Sequence, residues 1–424
     1  MASTSLCSAL VFASLLLAAC GRAPPSAAAG AATSRAALGP IHALTSPVGA
    51  DGGEPRLSRD ATGSLILSWL APVGDGGVYA LKYARLAGDD WTGTAVAAHG
   101  PDWVVSAADL PSVQALSERL WVADWRVQSP ASAAAYDIRV AISADAGATW
   151  SAPSLLNDDA TASEHGFVSW FRDGDRAGAV WLDGRDEAND APESATGEPA
   201  GTSLRYAFLD ADGRRREQGV IDNLVCDCCR TDVALTAAGA AVVYRDRSAT
   251  EIRDIAVRVR TADGWSAPAR LGPDNWQIAG CPINGPVLDA KDNEVVAAWF
   301  TAADGRGHVR LARSSDGGAS FGVSVEIDGD GAYGQVGVVL ADEGRAFVSW
   351  WRRAAGGGAE LAVRAVARGG ELGERQVVGT TRASRPDTVP QMKRSGQRLV
   401  FVWAEDTDAG QSVKTAYADL VEGG

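Results

Sequence analysis

Lysine is nearly missing from this 424-residue chain. Only Lys82, Lys291, Lys393 and Lys414 occur among its 39 basic residues, and 53 acidic residues leave a formal net charge of −14. A chain of that sign repels phosphate, so nucleic acid and an electrostatically bound anionic membrane are excluded as partners. Apolar runs long enough to cross a bilayer as a helix are also lacking, the longest being the stretch at residues 5–19. Helical periodicity is absent throughout, which excludes a helical bundle. Cysteine is sparse. Beyond residue 20 it is confined to Cys226, Cys228, Cys229 and Cys281.

What is present is repetition. An apolar strand ending in an aromatic recurs seven times and closes on Trp69, Trp125, Trp181, Tyr244, Trp299, Trp350 and Trp403, at spacings of 51 to 63 residues. A short strand precedes each copy, as in Asp232–Leu235, and an alternating strand follows, as in Ile255–Arg260. A fourth strand then comes, as in Val323–Ile327. Alternation with period two between Gly/Asp turns marks antiparallel strands. Four strands per repeat predict an all-β chain, a seven-bladed β-propeller of four-stranded antiparallel blades, with six blades as the fallback. The seventh repeat has three strands. The spare piece Ile41-His42-Ala43-Leu44-Thr45 is expected to supply its outer strand, closing the ring and removing a free edge.

Two outer turns are more specific. Ser143-Ala144-Asp145-Ala146-Gly147-Ala148-Thr149-Trp150 fits the pattern S-x-D-x-G-x-T-W, and Ser314 to Phe321 fits it with Phe in the last place. Asp and Ser side chains bond the turn backbone there and Gly takes the positive φ. These turns and the repeat resemble the sialidase-type, BNR/Asp-box propeller superfamily. The combination of Cys226-Asp227-Cys228-Cys229 with Tyr244-Arg245-Asp246-Arg247 and Cys281-Pro282 is similar to a bacterial lipoprotein branch of that superfamily.

Residues 5–19 have the length of a secretory apolar core. They end in Leu17-Ala18-Ala19-Cys20, which resembles a bacterial lipobox, although no Lys or Arg precedes the run. The resemblance implies a signal peptide at 1–19, cleavage before Cys20 and lipid on its thiol. Gly21, where an inner-membrane retention signal carries Asp, points to the outer membrane of a bacterial envelope. Residues 20–40, rich in Ala, Pro and Ser, read as a flexible tether, and 41–424 as the propeller. Export puts the four remaining cysteines where disulfides form.

The repeat gives the unusual residues an address. Loops entering the innermost strand, and loops between second and third strands, share one end of a propeller, here named the top. Cys226, Cys228 and Cys229 precede the inner strand of blade four, Cys281 that of blade five, and His165 that of blade three. The cysteines are either disulfides, one joining blades four and five and the other closing a small loop, or soft donors for copper or zinc with His165. Arg185, Asp186, Trp276 and Asn284 are candidate binding residues on the same face. The sialidase resemblance implies an arginine cluster, a tyrosine nucleophile and an acid. Candidates are Asp183, Tyr244, Arg245, Asp246, Arg247 and Arg253. Glu54-Pro55-Arg56-Leu57, however, does not match the Arg-Ile-Pro that opens blade one in sialidases. The expectation is therefore a non-catalytic module that binds a small molecule, glycan, metal or envelope protein over blades three to five. A sialidase-type glycosidase is the alternative.

Overall fold

A run of apolar residues without alternation is a strand buried on both faces. Ala240–Tyr244 illustrates it. Val242 and Tyr244 pack toward blade three, while Ala241 and Val243 pack toward blade five. The computed structural model describes residues 38–421 except 131, 133–134, 188–200, 384–385, 387 and 408–409. The signal peptide, Cys20 and almost all of the tether lie outside the described residues.

The described residues form seven antiparallel sheets. The inner strands are Gly53–Arg59, Ser112–Ala115, His165–Asp173, Asp232–Thr236, Val287–Lys291, Ala332–Leu340 and Gln391–Ser395. The second strands, in the same order, are Leu65–Pro72, Trp121–Gln128, Arg176–Asp183, Gly239–Arg245, Glu294–Thr301, Ala346–Arg353 and Arg398–Thr407. Blade four has a split outer strand, Gly264–Trp265 and Ala269–Arg270, both pairing Ile255–Thr261. Blade seven closes as the sequence predicts: His42–Leu44 pairs antiparallel with Gly410–Asp419, in the register His42 opposite Tyr417. Leu38 adds a bridge to Leu420.

The core is seven separate apolar clusters, one in each gap between neighbouring blades. The repeat aromatics lie in these gaps. Trp299 and Trp350 are fully buried, and their indole N–H groups donate to Asp274 (2.6 Å) and Asp328 (2.8 Å). A buried indole needs such a partner. The Asp-box turns behave as read. Ser143 Oγ donates to Asp145 (2.7 Å) and accepts from Gly147 N (2.8 Å), and Asp145 accepts from Thr149 N (2.9 Å). Ser314, Asp316, Gly318 and Ser320 repeat the pattern. Both turns join third and outer strands, so they lie at the bottom, opposite the cysteines.

Deleting residues 38–46 should lower the unfolding free energy by at least about 2 kcal/mol, the burial of Leu38 alone. It should also expose the edge of Gly410–Asp419 to association. Urea unfolding and size-exclusion chromatography measure both, and an unchanged midpoint would contradict closure by this strand.

Candidate functional site

The chain runs down each inner strand and up each second strand, so Cys226–Arg230, Cys281–Pro286 and Glu164 all reach the top. Cys228 and Cys281 form a disulfide, with Cα atoms 6.0 Å apart and a sequence separation of 53. It joins the loops entering blades four and five. Closing a loop of that length removes about 4 kcal/mol of chain entropy from the unfolded state. Cys226 and Cys229 remain thiols, both buried, with their sulfurs 3.0 Å apart. Their spacing is Cys-x-x-Cys, a signal in the sequence that Cys228 between them obscures. Cys226 is the acidic member. The hydrogen bond shared with Cys229 pulls its pKa down, and Arg245 and Arg253 help, against burial. Burial pushes Cys229 up.

The five-ligand metal set of the sequence does not assemble. Cys228 and Cys281 are bonded to each other, and His165 belongs to a different cluster in blade three. Two thiols are half of the donors that structural zinc takes, and they remain a soft pair of the kind Cu(I) favours.

His165 is fully buried at the start of its strand. Its Nδ1 faces the carbonyl of Tyr136 (3.0 Å), and Nε2 faces the carboxylates of Asp159 (3.1 Å) and Asp183 (3.6 Å). Both nitrogens therefore face acceptors, an arrangement that favours the doubly protonated ring. Burial lowers its pKa, but the Asp159 hydrogen bond and the charges of Asp183 and Asp159 outweigh that and raise it. Arg185 completes the balance, with Nε 2.7 Å from Asp183 and Nη1 2.9 Å from Asp158. Asp158, Asp159 and Asp183 thus already face the protein's own basic groups, His165 and Arg185, in a cluster whose ligand atoms approach closely.

The other predicted residues are mostly struts. Asp183 is wholly buried and also accepts from Trp181 Nε1 (2.8 Å). Tyr244 is buried between blades three and four, and its hydroxyl donates to Asp222 (2.7 Å). Arg245 is 1% exposed and donates to the carbonyls of Arg253 (2.7 Å), Asn284 (2.8 Å) and Phe300 (2.8 Å). It stacks on Trp276, 5.0 Å from the ring centre, so guanidinium and indole clamp blade four to blade five. Asn284 is buried and ties Pro282, Tyr333 and Gln335 together. Tyr244, Arg245, Trp276 and Asn284 are thus removed from the exposed face on which the sequence placed them.

What faces outward is a set of neutralised pairs. Arg247 holds Glu251, Arg205 holds Asp186 (3.3 Å), and Arg253 bridges Asp227 (2.9 Å) and Glu251 (2.9 Å). Glu187 accepts from the backbone and hydroxyl of Thr202, pinning the two ends of the 188–200 excursion. Asp246 is partly exposed, and burial with the nearby charge of Asp222 pushes its carboxyl up to about 6. The sequence reading missed Asp227 and Glu251 as the partners of Arg253.

No protein-family model matches the chain, and no curated protein matches it. Solved structures similar in outline include a protein of unknown function from Dyadobacter fermentans (12% identity, TM-score 0.48, 90% of this chain and 95% of that one). The NanB sialidase from Streptococcus pneumoniae is another (9%, 0.45, 84% and 83%). A third is the α-L-arabinanase of Penicillium chrysogenum, solved with arabinobiose (14%, 0.46, 91% and 98%). The seven blades rest on the chain's own sheets.

The raised pKa of His165 makes its contribution to stability pH-dependent. That contribution is full below 6.5, the value of a free imidazole, and is lost as the pH rises through the folded value. The stability gap between wild type and His165→Gln should therefore be wider at pH 5.5 than at pH 9. Denaturant unfolding at the two values measures it, and a gap that does not change with pH would show that His165 folds uncharged.

Proposed function

We propose that this chain is a lipid-anchored, non-catalytic propeller of the bacterial envelope, and that its top face over blades three to five binds a neutral or cationic ligand. One observation carries the reading: every arginine named for that face already has a carboxylate or backbone partner. A sialoside is recognised through its carboxylate, which needs guanidinium groups free to form forked hydrogen bonds. Here those forks are filled. Beyond those pairs, the exposed Glu164 and the partly exposed Asp246 are acidic, and Asp158, Asp186 and Asp227 keep part of their surface open beside their arginines. Electrostatics on this face therefore disfavours an anionic sugar and favours a neutral glycan or a basic segment of a partner.

The export signal and Cys20 support the anchoring. A thiol acylated there would hold the propeller at the membrane, with the acidic body repelled from its surface.

A second reading, glycoside hydrolysis, is favoured by Asp246 alone. A carboxyl pushed up to about 6 and partly open to solvent is shifted toward the protonated form that a general acid in such chemistry needs.

Fluorogenic sialoside and arabinoside substrates separate the two. The expected rates stay at the no-enzyme background and are unchanged by Asp246→Asn. Turnover above background that Asp246→Asn abolishes would replace the binding reading with the enzymatic one. In the same preparations, a clickable fatty acid should label the wild type in bacterial cells and not Cys20→Ser. Equal labelling of both would remove the anchor.

A further inference from the structure

The axis of the ring reverses the charge of the rest of the molecule. A cavity of about 330 Å³ there is lined by the inner strands of all seven blades. Its lining contains Arg56, Arg59, Arg172, Arg230, Lys393 and Arg394 against only two carboxylates, Asp232 and Asp289.

Both carboxylates are already engaged. Inner strands have no neighbour to pair with across a blade gap, so side chains must satisfy the backbone there. Asp232 accepts from Leu288 N (3.1 Å) and Val233 N (3.0 Å), and Asp289 accepts from Leu340 N (2.8 Å) and Ala290 N (3.0 Å). They hold blade four to five and blade five to six. Among the cations, Arg394 is paired with Asp342, and Arg172 donates to the carbonyl of Gly174 (2.7 Å). Among the described residues no carboxylate lies within ion-pair distance of Arg56, Arg59, Arg172, Arg230 or Lys393.

Arg230 is the most constrained of them. It directly follows the cysteine run. One Nη2 hydrogen bond reaches the carbonyl of Val336, and its Nε–H is buried with no partner. Gly285 packs against it so closely that a Cβ would fall 2.4 Å from Arg230 Cγ, which leaves the side chain little room to swing away. Burial lowers its pKa to about 10, the charge of Asp232 opposes that and the charge of Arg56 adds to it, so the guanidinium stays charged at neutral pH with a like charge nearby. A buried N–H without a partner loses the hydrogen bond it had in water. Water could accept from that N–H, but it would not relieve the repulsion between Arg56 and Arg230. An anion does both.

We propose that the axial cavity is an anion site, and that Arg56 and Arg230 hold a small oxyanion between the inner strands, with Arg59 and Lys393 supplying further positive potential. The site shares no side chain with the face over blades three to five. The cavity exceeds the roughly 30 Å³ a water molecule takes in the liquid, which leaves room for an oxyanion with part of its water.

Inorganic phosphate is the probe, titrated calorimetrically into the intact, disulfide-bonded chain at pH 7 and low salt. The wild type should bind at one saturable site. Arg230→Gln and Arg56→Gln should each weaken that binding at least tenfold, while Arg214→Gln, on an exposed outer turn, should leave it unchanged. Sulfate and acetate titrated in the same way test tetrahedral against planar oxyanions. Saturable binding of any of the three that both axial variants weaken supports the site. Should Arg230→Gln not fold, Arg56→Gln decides alone, because the Arg56 side chain has no hydrogen bond to lose. Absence of saturable binding for all three anions, or binding that survives Arg56→Gln, overturns the proposal.

Discussion

The ring depends on how seven inner strands meet without pairing. Each blade satisfies its own backbone internally, but the innermost edge faces an axis where no further strand fits. The chain answers with short side chains that cross the gaps. Ser58 donates to Val113 O (2.8 Å), Ser169 donates to Thr231 O (2.9 Å), and Asp232 and Asp289 accept from the next blade's N–H groups. These bonds fix the angle between blades, and the apolar gap clusters then fill behind them. Burial drives the assembly, while the axial bonds select a ring over an open stack.

The same constraint sorts the charges. The carboxylates of Asp232 and Asp289 on the inner strands are bound to backbone N–H groups, so they act on the neighbouring cations through their charge and form no contact ion pair with them among the described residues. On the top face the opposite holds. Loops there have freedom to bring acid to base, and Asp183, Asp159, Glu251 and Asp227 each reach a cation. One molecule therefore carries a neutralised outer face and an unneutralised axis, although its overall charge is strongly negative.

The sequence shows the parts of this that depend on periodicity. Closing aromatics, both-face-buried strands, Asp-box turns and the returning strand at His42 are written in residue order, because each follows from local geometry repeated. The cysteines' position at the top of blades four and five follows from the same count. Partnership is what residue order conceals. Arg245 and Arg230 both lie at the top of blade four, and in the sequence Arg245 looks the more functional because Asp246 and Arg247 follow it. Three carbonyls and an indole make Arg245 a clamp, while Arg230 has a single carbonyl and a buried N–H without a partner. Only the fold tells a satisfied guanidinium from an unsatisfied one. Residue order carried one overlooked hint: basic residues on several inner strands that a propeller turns toward a common axis.

The cysteine knot takes its meaning from this contrast. Cys228–Cys281 fixes the loop of blade five against the loop of blade four, and those two loops carry Gly285 and Arg230. The bridge thereby fixes the loop that presents Arg230 to the axial cavity. On that wall basic side chains outnumber carboxylates, the charge pattern on which the proposed anion site rests. The Cys226–Cys229 thiols lie within the same loop and add a second point of restraint near Arg253. Of the three cysteines in four residues, Cys228 carries the tie between blades, and the loop it fixes brings Arg230 to the axis.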